Sequence, residues 1–247
     1  MRLHKLLLLV LFNCIVAGLA GQEVVNLLYV GDNGLVDDFK EAHSVIVIKQ
    51  YPNNHFERLD YLLGAPLTML RTYNDSTLKN LDGPYLQYHP SGMIQVKGQY
   101  SRNTKTGEWW YYNDTGKVEK KEFYEQGIIQ RSENPDSVEK KETIKYGDER
   151  EADMVGGKNA WQSYLLKKMQ QTNGSLSELK GKILVQFTIN TSGKLVDIFL
   201  KRSANFGLDE EALKIIRNAP DWKPAFQNGQ PINAYRVQPF TYLGYTE

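Results

Sequence analysis

The chain has 247 residues, of which 41% are hydrophobic and 24% are charged, so it can build folded cores and is not disordered throughout. Its 30 Lys and Arg residues are balanced by 29 Asp and Glu residues, and this near-neutral charge excludes the basic character of a dedicated nucleic-acid-binding protein. The single cysteine excludes an internal disulfide and a cysteine-based zinc site.

The first 20 residues have the pattern of a secretory signal peptide. Arg2 and Lys5 precede an apolar run, and Gly18 and Ala20 place small residues just before a cleavage point after Ala20. The apolar run is shorter than the roughly 20 residues that a membrane-spanning helix needs. We therefore predict a signal peptide over residues 1–20 and export of the protein, with an uncleaved membrane anchor as the open alternative.

The remainder divides into three parts by composition. Residues 21–130 contain strand-like runs and a repeated aromatic pattern. Residues 131–153 carry 13 charges in 23 positions, which is typical of a solvated linker. Residues 154–247 are apolar and periodic again, and we predict that they form a separate C-terminal domain.

The middle of the chain contains an internal repeat of 24 residues. The first unit is Gly83, Tyr85, Tyr88, Gly92 and a closing Tyr100; the second is Gly107, Trp109, Tyr112, Gly116 and a closing Tyr124. Each unit is typical of two strands joined by a turn, because alternating aromatics mark one strand face and the glycines permit a positive φ. The stretch from Asp60 to Tyr73 has the pattern of a degenerate earlier copy.

This pattern over about residues 60–127 resembles the MORN-type repeat in the variant form G-x-W/Y-x-x-Y-x-x-x-G with a closing Tyr. The resemblance implies a meander of β-hairpins. Such a meander serves either as a binding face or as a structural spacer.

The C-terminal part predicts the element order α-β-β-α-β. A helix is expected over 157–169, two strands over 182–189 and 194–200, a helix that opens at Leu208 with Asp209 as its cap, and a last strand over 232–242. Short links between these elements favour helices packed on one face of an antiparallel sheet. The predicted fold class is therefore α+β: an N-terminal hairpin meander followed by an α/antiparallel-β domain.

Four motifs carry a second resemblance, to the C-terminal domain of TonB and its periplasmic relatives, over about residues 154–244. They are G-x-hydrophobic-x-V-x-F-x-I-x-x-x-G-x-hydrophobic-x-D at 181–197, L-D-x-x-A-L at 208–213, P-x-W-x-P-A-x-x-x-G-x-P-I at 220–232 and V-x-P-F at 237–240.

The resemblance implies a periplasmic protein without enzymatic activity. Its partners would be outer-membrane TonB-dependent transporters, and inner-membrane motor proteins if it couples energy to transport. The TonB box of such a transporter would add as a strand to an exposed sheet edge. The expected contact residues lie on the last strand: Tyr235, Arg236, Val237, Gln238, Pro239 and Phe240.

The open alternative is a non-enzymatic adaptor of the cell envelope that binds through the repeat face. Neither hypothesis involves a cofactor, a metal or nucleic acid. Contact with a membrane would come only through partners or through an uncleaved N-terminus.

Overall fold

A computed structural model describes residues 23–134, 150–171, 176 and 178–244. The predicted signal peptide lies outside the described residues, as does most of the predicted linker over 131–153. Within the described residues, no helix is both long enough and apolar enough to cross a membrane.

The N-terminal part forms one antiparallel sheet of ten strands, called the meander below. The strands are β1 (Glu23–Gly31), β2 (Gly34–Val36), β3 (Ser44–Gln50), β4 (Phe56–Leu62), β5 (Leu67–Tyr73), β6 (Leu81–Tyr88), β7 (Ile94–Ser101), β8 (Thr104–Tyr112), β9 (Val118–Glu125) and β10 (Ile128–Glu133). A 3-10 helix, Phe39–Glu41, separates β2 from β3. From β3 to β10 each strand pairs with the next, and β1 lies between β3 and β2. The predicted meander of hairpins is therefore confirmed.

The repeated glycines lie at equivalent turns. Gly92 joins β6 to β7 with a φ of 82°, and Gly116 joins β8 to β9 with a φ of 83°. Both conformations are in the left-handed region, which glycine adopts without steric cost. The two turns also share a hydrogen bond, because each glycine N–H donates to the carbonyl three residues earlier.

The repeated aromatics pack across neighbouring strands. The Trp109 ring lies 5.5 Å from that of Tyr85, 5.2 Å from that of Tyr100 and 6.0 Å from that of Tyr124. A Cβ atom at Gly98 would overlap the Trp109 indole, so the ring needs a glycine opposite it. Cross-strand aromatic pairs of this kind are what hold adjacent hairpins together.

The C-terminal region has two helices on one face of a three-stranded sheet. Its main elements are α1 (Gly157–Gln171), β12 (Lys180–Ile189), β13 (Leu195–Arg202), α2 (Phe206–Arg217) and β17 (Ala234–Leu243). The sheet order is β13-β12-β17, and both pairings are antiparallel. Two short pairs complete the region: β11 (Asp153–Met154) with β14 (Trp222–Lys223), and β15 (Ala225–Gln227) with β16 (Gln230–Ile232). The α-β-β-α-β order and the α+β fold class are confirmed.

Alternate residues of the central strand β12 point into the core. Ile183, Val185, Phe187 and Ile189 are all buried, as expected when one face of a strand is covered by helices. Phe240 of β17 is also buried and pairs in register with Ile183. This register fixes which side chains of β17 face the helices and which face away.

The predicted start of α2 was wrong. The helix begins at Phe206, and its cap is Asn205, whose side chain accepts a hydrogen bond from the Leu208 N–H. Asp209 lies inside the first turn with no exposed surface, so it is not the cap. The Ser203–Asn205 stretch ahead of Leu208 contained a better cap, since Asn is among the residues most favoured at that position.

The meander and the C-terminal region share one apolar core. Buried side chains from β3 to β7 pack in the same cluster as those from α1, β12, β13, α2 and β17. From the meander these include Val47, Leu59, Leu67, Leu86 and Ile94, and from the C-terminal region Ile183, Phe187, Leu208, Ala212 and Ile216. The two parts are thus joined by packing as well as by the chain. The predicted boundaries at 130 and 153 stay predictions.

Candidate partner-binding edge

Strand β17 lies at one side of the three-stranded sheet. All ten of its residues pair in unbroken register with β12, from Ala234 opposite Ile189 to Leu243 opposite Lys180. No strand within the described ranges pairs with its other side. We call this side the open edge, because edge strands present backbone groups to which an added strand can bond.

The opposite side of the same sheet contacts the meander at the end of β13. Met93 forms an antiparallel bridge with Arg202 at the end of β13. The Ser203 N–H then donates to the Gly92 carbonyl at 2.9 Å. The C-terminal sheet therefore has one side held by the meander and one open edge.

The six residues expected from sequence to contact a partner all lie on β17. Tyr235 and Val237 point away from the helices and are 72% and 44% exposed. Arg236 and Gln238 point toward the helix layer and are half-buried. Phe240 is only 1% exposed, so its side chain belongs to the core.

The backbone at Pro239 differs from the rest of the open edge. Proline has no N–H to donate, and the Pro239 carbonyl already accepts a hydrogen bond of 2.8 Å from the Gln238 side chain. Proline inside a sheet is largely confined to edge strands. An added strand would therefore find no N–H donor at Pro239, whereas every residue from 234 to 237 keeps its N–H.

Arg236 connects the open edge to the segment before α1. Its guanidinium donates to the Ala152 carbonyl at 2.7 Å and pairs with the Glu151 carboxylate at 3.2 Å. The sequence did not indicate this contact, because the two partners lie 84 and 85 positions away.

A cleft of about 710 Å³ opens beside β17. It is lined by Arg150, Glu151, Ala152, Asp153, Lys158, Trp161, Phe187, Trp222, Lys223, Arg236, Val237 and Gln238. The Trp161 and Trp222 rings are 5.1 Å apart, and the Phe187 and Trp222 rings are 6.0 Å apart. The cleft thus has aromatic walls and reaches β17 at residues 236–238. We did not predict it, since its lining comes from four separate stretches of the chain.

A buried carboxyl group lies where the meander contacts α2. The Asp209 carboxyl accepts hydrogen bonds from the Ala204 N–H at 2.9 Å, from the Tyr61 hydroxyl at 3.2 Å and from the Ser203 hydroxyl. Burial raises the pKa of Asp209 to about 7, although these three donors act in the opposite direction. Burial also raises the pKa of Tyr61 well above its ordinary value.

Three further polar contacts cross the same interface. Ser203 accepts a hydrogen bond from the Leu67 N–H at 2.7 Å, and the Tyr88 hydroxyl donates to the Leu200 carbonyl at 2.8 Å. The Lys49 ammonium is almost fully buried and pairs with the Glu210 carboxylate at 2.5 Å. These contacts fix the position of α2 and β13 on the meander, and so the orientation of the open edge.

Residues 175–243 match the family model of the Gram-negative bacterial TonB protein C-terminal. The match extends from just before β12 to the end of β17 and leaves α1 outside. No curated protein and no solved structure matches the chain. No family match covers the meander, so the MORN-type resemblance rests on the repeat alone.

The match indicates a TonB-like protein of the periplasm and envelope, with a part in energy coupling to transport and with protein partners such as outer-membrane transporters. The matched family is non-catalytic and acts through protein interactions. Among the residues that the structure describes, no group of three or more His, Cys, Asp or Glu side chains could hold a metal ion.

Proposed function

We propose that the protein binds an extended segment of a partner protein by strand addition at the open edge of β17. The observation that carries this proposal is the asymmetry of the three-stranded sheet. The meander bridges β13 at Arg202, whereas β17 has neither a bridge nor a strand neighbour on its other side within the described part of the chain. In strand addition, main-chain hydrogen bonds supply affinity, and alternate side chains supply specificity.

The partner we propose is an outer-membrane transporter with a TonB-box type segment, and the setting is energy-coupled transport in the periplasm. The family match at residues 175–243 supports this setting. Inner-membrane motor proteins would be further partners if the N-terminus is an uncleaved anchor. A cleaved N-terminus would instead leave the protein free in the periplasm.

The direct test is a titration of the ¹⁵N-labelled protein with TonB-box-like peptides, followed by NMR. We expect the amide signals of residues 234–237 to shift more than those of α1. Peptides N-methylated at alternate positions provide the control within the same experiment. Because one set of peptide N–H groups would face β17 and the other would face solvent, methylation of only one set should abolish binding.

A protein variant complements the peptide series. Val237→Pro removes a backbone N–H from the strand and should weaken binding, whereas Tyr235→Ala keeps the backbone intact and should weaken it less. The chemical shift of the Trp222 indole N–H reports whether each variant is folded. If no amide between 234 and 243 shifts at millimolar peptide, strand addition is not the activity of this protein.

The alternative proposal is an envelope adaptor that binds through the meander. Leu86 points into the shared core, so its neighbour Tyr85 lies on the opposite face of β6. The contacts of Tyr85, Tyr100 and Tyr124 with Trp109 form an aromatic row on that outer face. A partner that shifts signals of this row, but none on β17, would favour the adaptor.

A further inference from the structure

The cleft beside β17 combines a buried donor with an excess of positive charge. Trp161 and Trp222 both line it. The Trp161 indole N–H donates to the Gln238 side chain at 3.0 Å. The Trp222 indole N–H is buried and has no hydrogen-bond partner. Buried polar groups are nearly always paired in folded proteins, and this unpaired donor belongs to a residue that lines the cleft.

Cationic side chains outnumber acidic ones around the cleft. The four cations are Arg150, Lys158, Lys223 and Arg236, and the two acids are Glu151 and Asp153. Arg236 is already paired with Glu151, and Arg150 stacks on the Phe226 ring at 4.4 Å. Lys158 and Lys223 are exposed and form no ion pair within the described residues. Their charges are therefore available to an incoming anion.

The cleft lies on the helix-facing side of β17. Arg236 and Gln238 point toward it, whereas Tyr235 and Val237 alternate with them along the strand. A strand added to β17 has the same alternation, because successive side chains point to opposite faces of a sheet. Half of its side chains would face the cleft, and the other half would lie beside exposed Tyr235 and Val237.

We propose that the cleft binds a carboxylate side chain of the partner segment, held by Lys158 and Lys223 against the aromatic wall formed by Trp161 and Trp222. The preferred partner is thus an acidic extended peptide. It carries Glu or Asp where side chains face the cleft and apolar residues at the alternating positions. This inference rests on the proposed strand addition and adds the chemistry of the occupant. Aspartate and glutamate suit the site because a carboxylate accepts charge-assisted hydrogen bonds from ammonium groups.

The test compares two synthetic peptides against the full chain. Both are capped ten-residue peptides of alternating Val and Thr with one central substitution, Glu in the first and Gln in the second. We expect the Glu peptide to bind about tenfold more tightly, as one charge-assisted contact would give. We also expect it to shift the Trp222 indole N–H signal more than the Gln peptide does.

Matched variants separate this cleft from general charge attraction. The double variant Lys158→Gln/Lys223→Gln should lose the preference for Glu. The control Lys40→Gln/Lys167→Gln makes the same change of charge at exposed positions outside the cleft and should keep the preference.

Three outcomes overturn the inference, and they are distinguishable from one another. If both peptides shift residues 234–237 with equal affinity, strand addition stands and the carboxylate site is wrong. The carboxylate site is also wrong if the double variant keeps the preference for Glu. If neither peptide shifts any β17 amide, the proposed function fails, and this inference fails with it.

Discussion

The hydroxyl of Tyr61 donates a hydrogen bond of 3.2 Å to the carboxyl group of Asp209, although the two residues lie 148 positions apart. Tyr61 belongs to β4 of the meander, and Asp209 belongs to the first turn of α2. Both side chains are almost completely buried. This contact is the polar centre of the surface on which the meander and the C-terminal region meet, and the stability of that surface depends on it.

The first prediction concerns pH. Burial raises the pKa of Asp209 to about 7 from an ordinary value of 3.8. The folded protein therefore binds this proton more tightly than the unfolded chain does. The contribution of Asp209 to stability is full below about pH 4 and is lost as the pH rises through 7.

Between about pH 5.5 and pH 8, the wild-type protein should lose on the order of 2 kcal/mol of its free energy of unfolding through Asp209. The variant Asp209→Asn has no carboxyl group at this position and should lack this loss. Urea unfolding at both pH values measures it. The control is Asp221→Asn, which changes an exposed carboxylate paired with Lys194. Equal pH dependence in wild type and in Asp209→Asn would contradict the prediction.

The second prediction concerns the buried ion pair of Lys49 and Glu210. Lys49 is 2% exposed, whereas the Glu210 side chain is 28% exposed and can reach water. Glu210→Gln leaves a buried ammonium group without its counter-charge, and breaking a buried pair in this way costs about 3–5 kcal/mol. Lys49→Met keeps an apolar stem and leaves the carboxylate near solvent, so it should cost clearly less. Thermal unfolding of the two variants gives the ranking, and the reverse order would show that the pair is effectively solvated.

The third prediction concerns Gly92. A Cβ atom there would overlap the carbonyl oxygen of Ser203, the residue whose N–H donates to the Gly92 carbonyl. Gly64 has a similar positive φ of 69°, but nothing lies within 4 Å of the position that a Cβ atom would occupy. Gly64→Ala should therefore cost only the backbone strain of about 1–2 kcal/mol, and Gly92→Ala should cost considerably more. Similar losses for both variants in denaturant unfolding would mean that the docked turn can move aside.

The fourth prediction follows from the shared core. The predicted linker contains Lys140, Lys141 and Lys145, and we expect trypsin to cleave there if it is a solvated linker. Because apolar side chains of both parts pack in one cluster, the two fragments should stay associated after cleavage. We expect them to elute together in native size-exclusion chromatography and to separate only in denaturant. Separation under native conditions would show that the C-terminal region folds independently.

The fifth prediction concerns the N-terminus. The small residues Gly18 and Ala20 after a short apolar run favour cleavage after Ala20. N-terminal sequencing of the exported protein should therefore begin at Gly21. A full-length species that begins at Met1 in the inner membrane would instead support an anchored energy transducer.

Local patterns in the sequence were sufficient for the hairpins of the repeat and for the order of the main C-terminal elements, although not for the start of α2. The alternating aromatics and the glycines at 92 and 116 predicted the hairpins, and the apolar spacing predicted the α-β-β-α-β order. These signals depend on neighbours within one hairpin or one helix turn, so they are readable without the fold.

The long-range contacts could not be predicted in this way. The sequence placed Asp209 at a helix start, where an acidic residue is ordinarily a cap. Its actual partner Tyr61 comes from a strand in another part of the chain. A lysine near the end of a strand is ordinarily solvated, and only the position of α2 explains the burial of Lys49. The edge position of β17 was predicted from the family resemblance, whereas the cleft beside it needed the relative placement of four chain segments.

The bridge between Met93 and Arg202 has a consequence for stoichiometry. The meander bridges β13 at Arg202, so β17 is the edge that is open along its whole length, and we expect a single copy to accept one strand there. Binding two segments of a partner at the same time would require two copies of the chain held together. Such a pair would gain avidity. A binding isotherm for one peptide should therefore saturate at one molecule per chain.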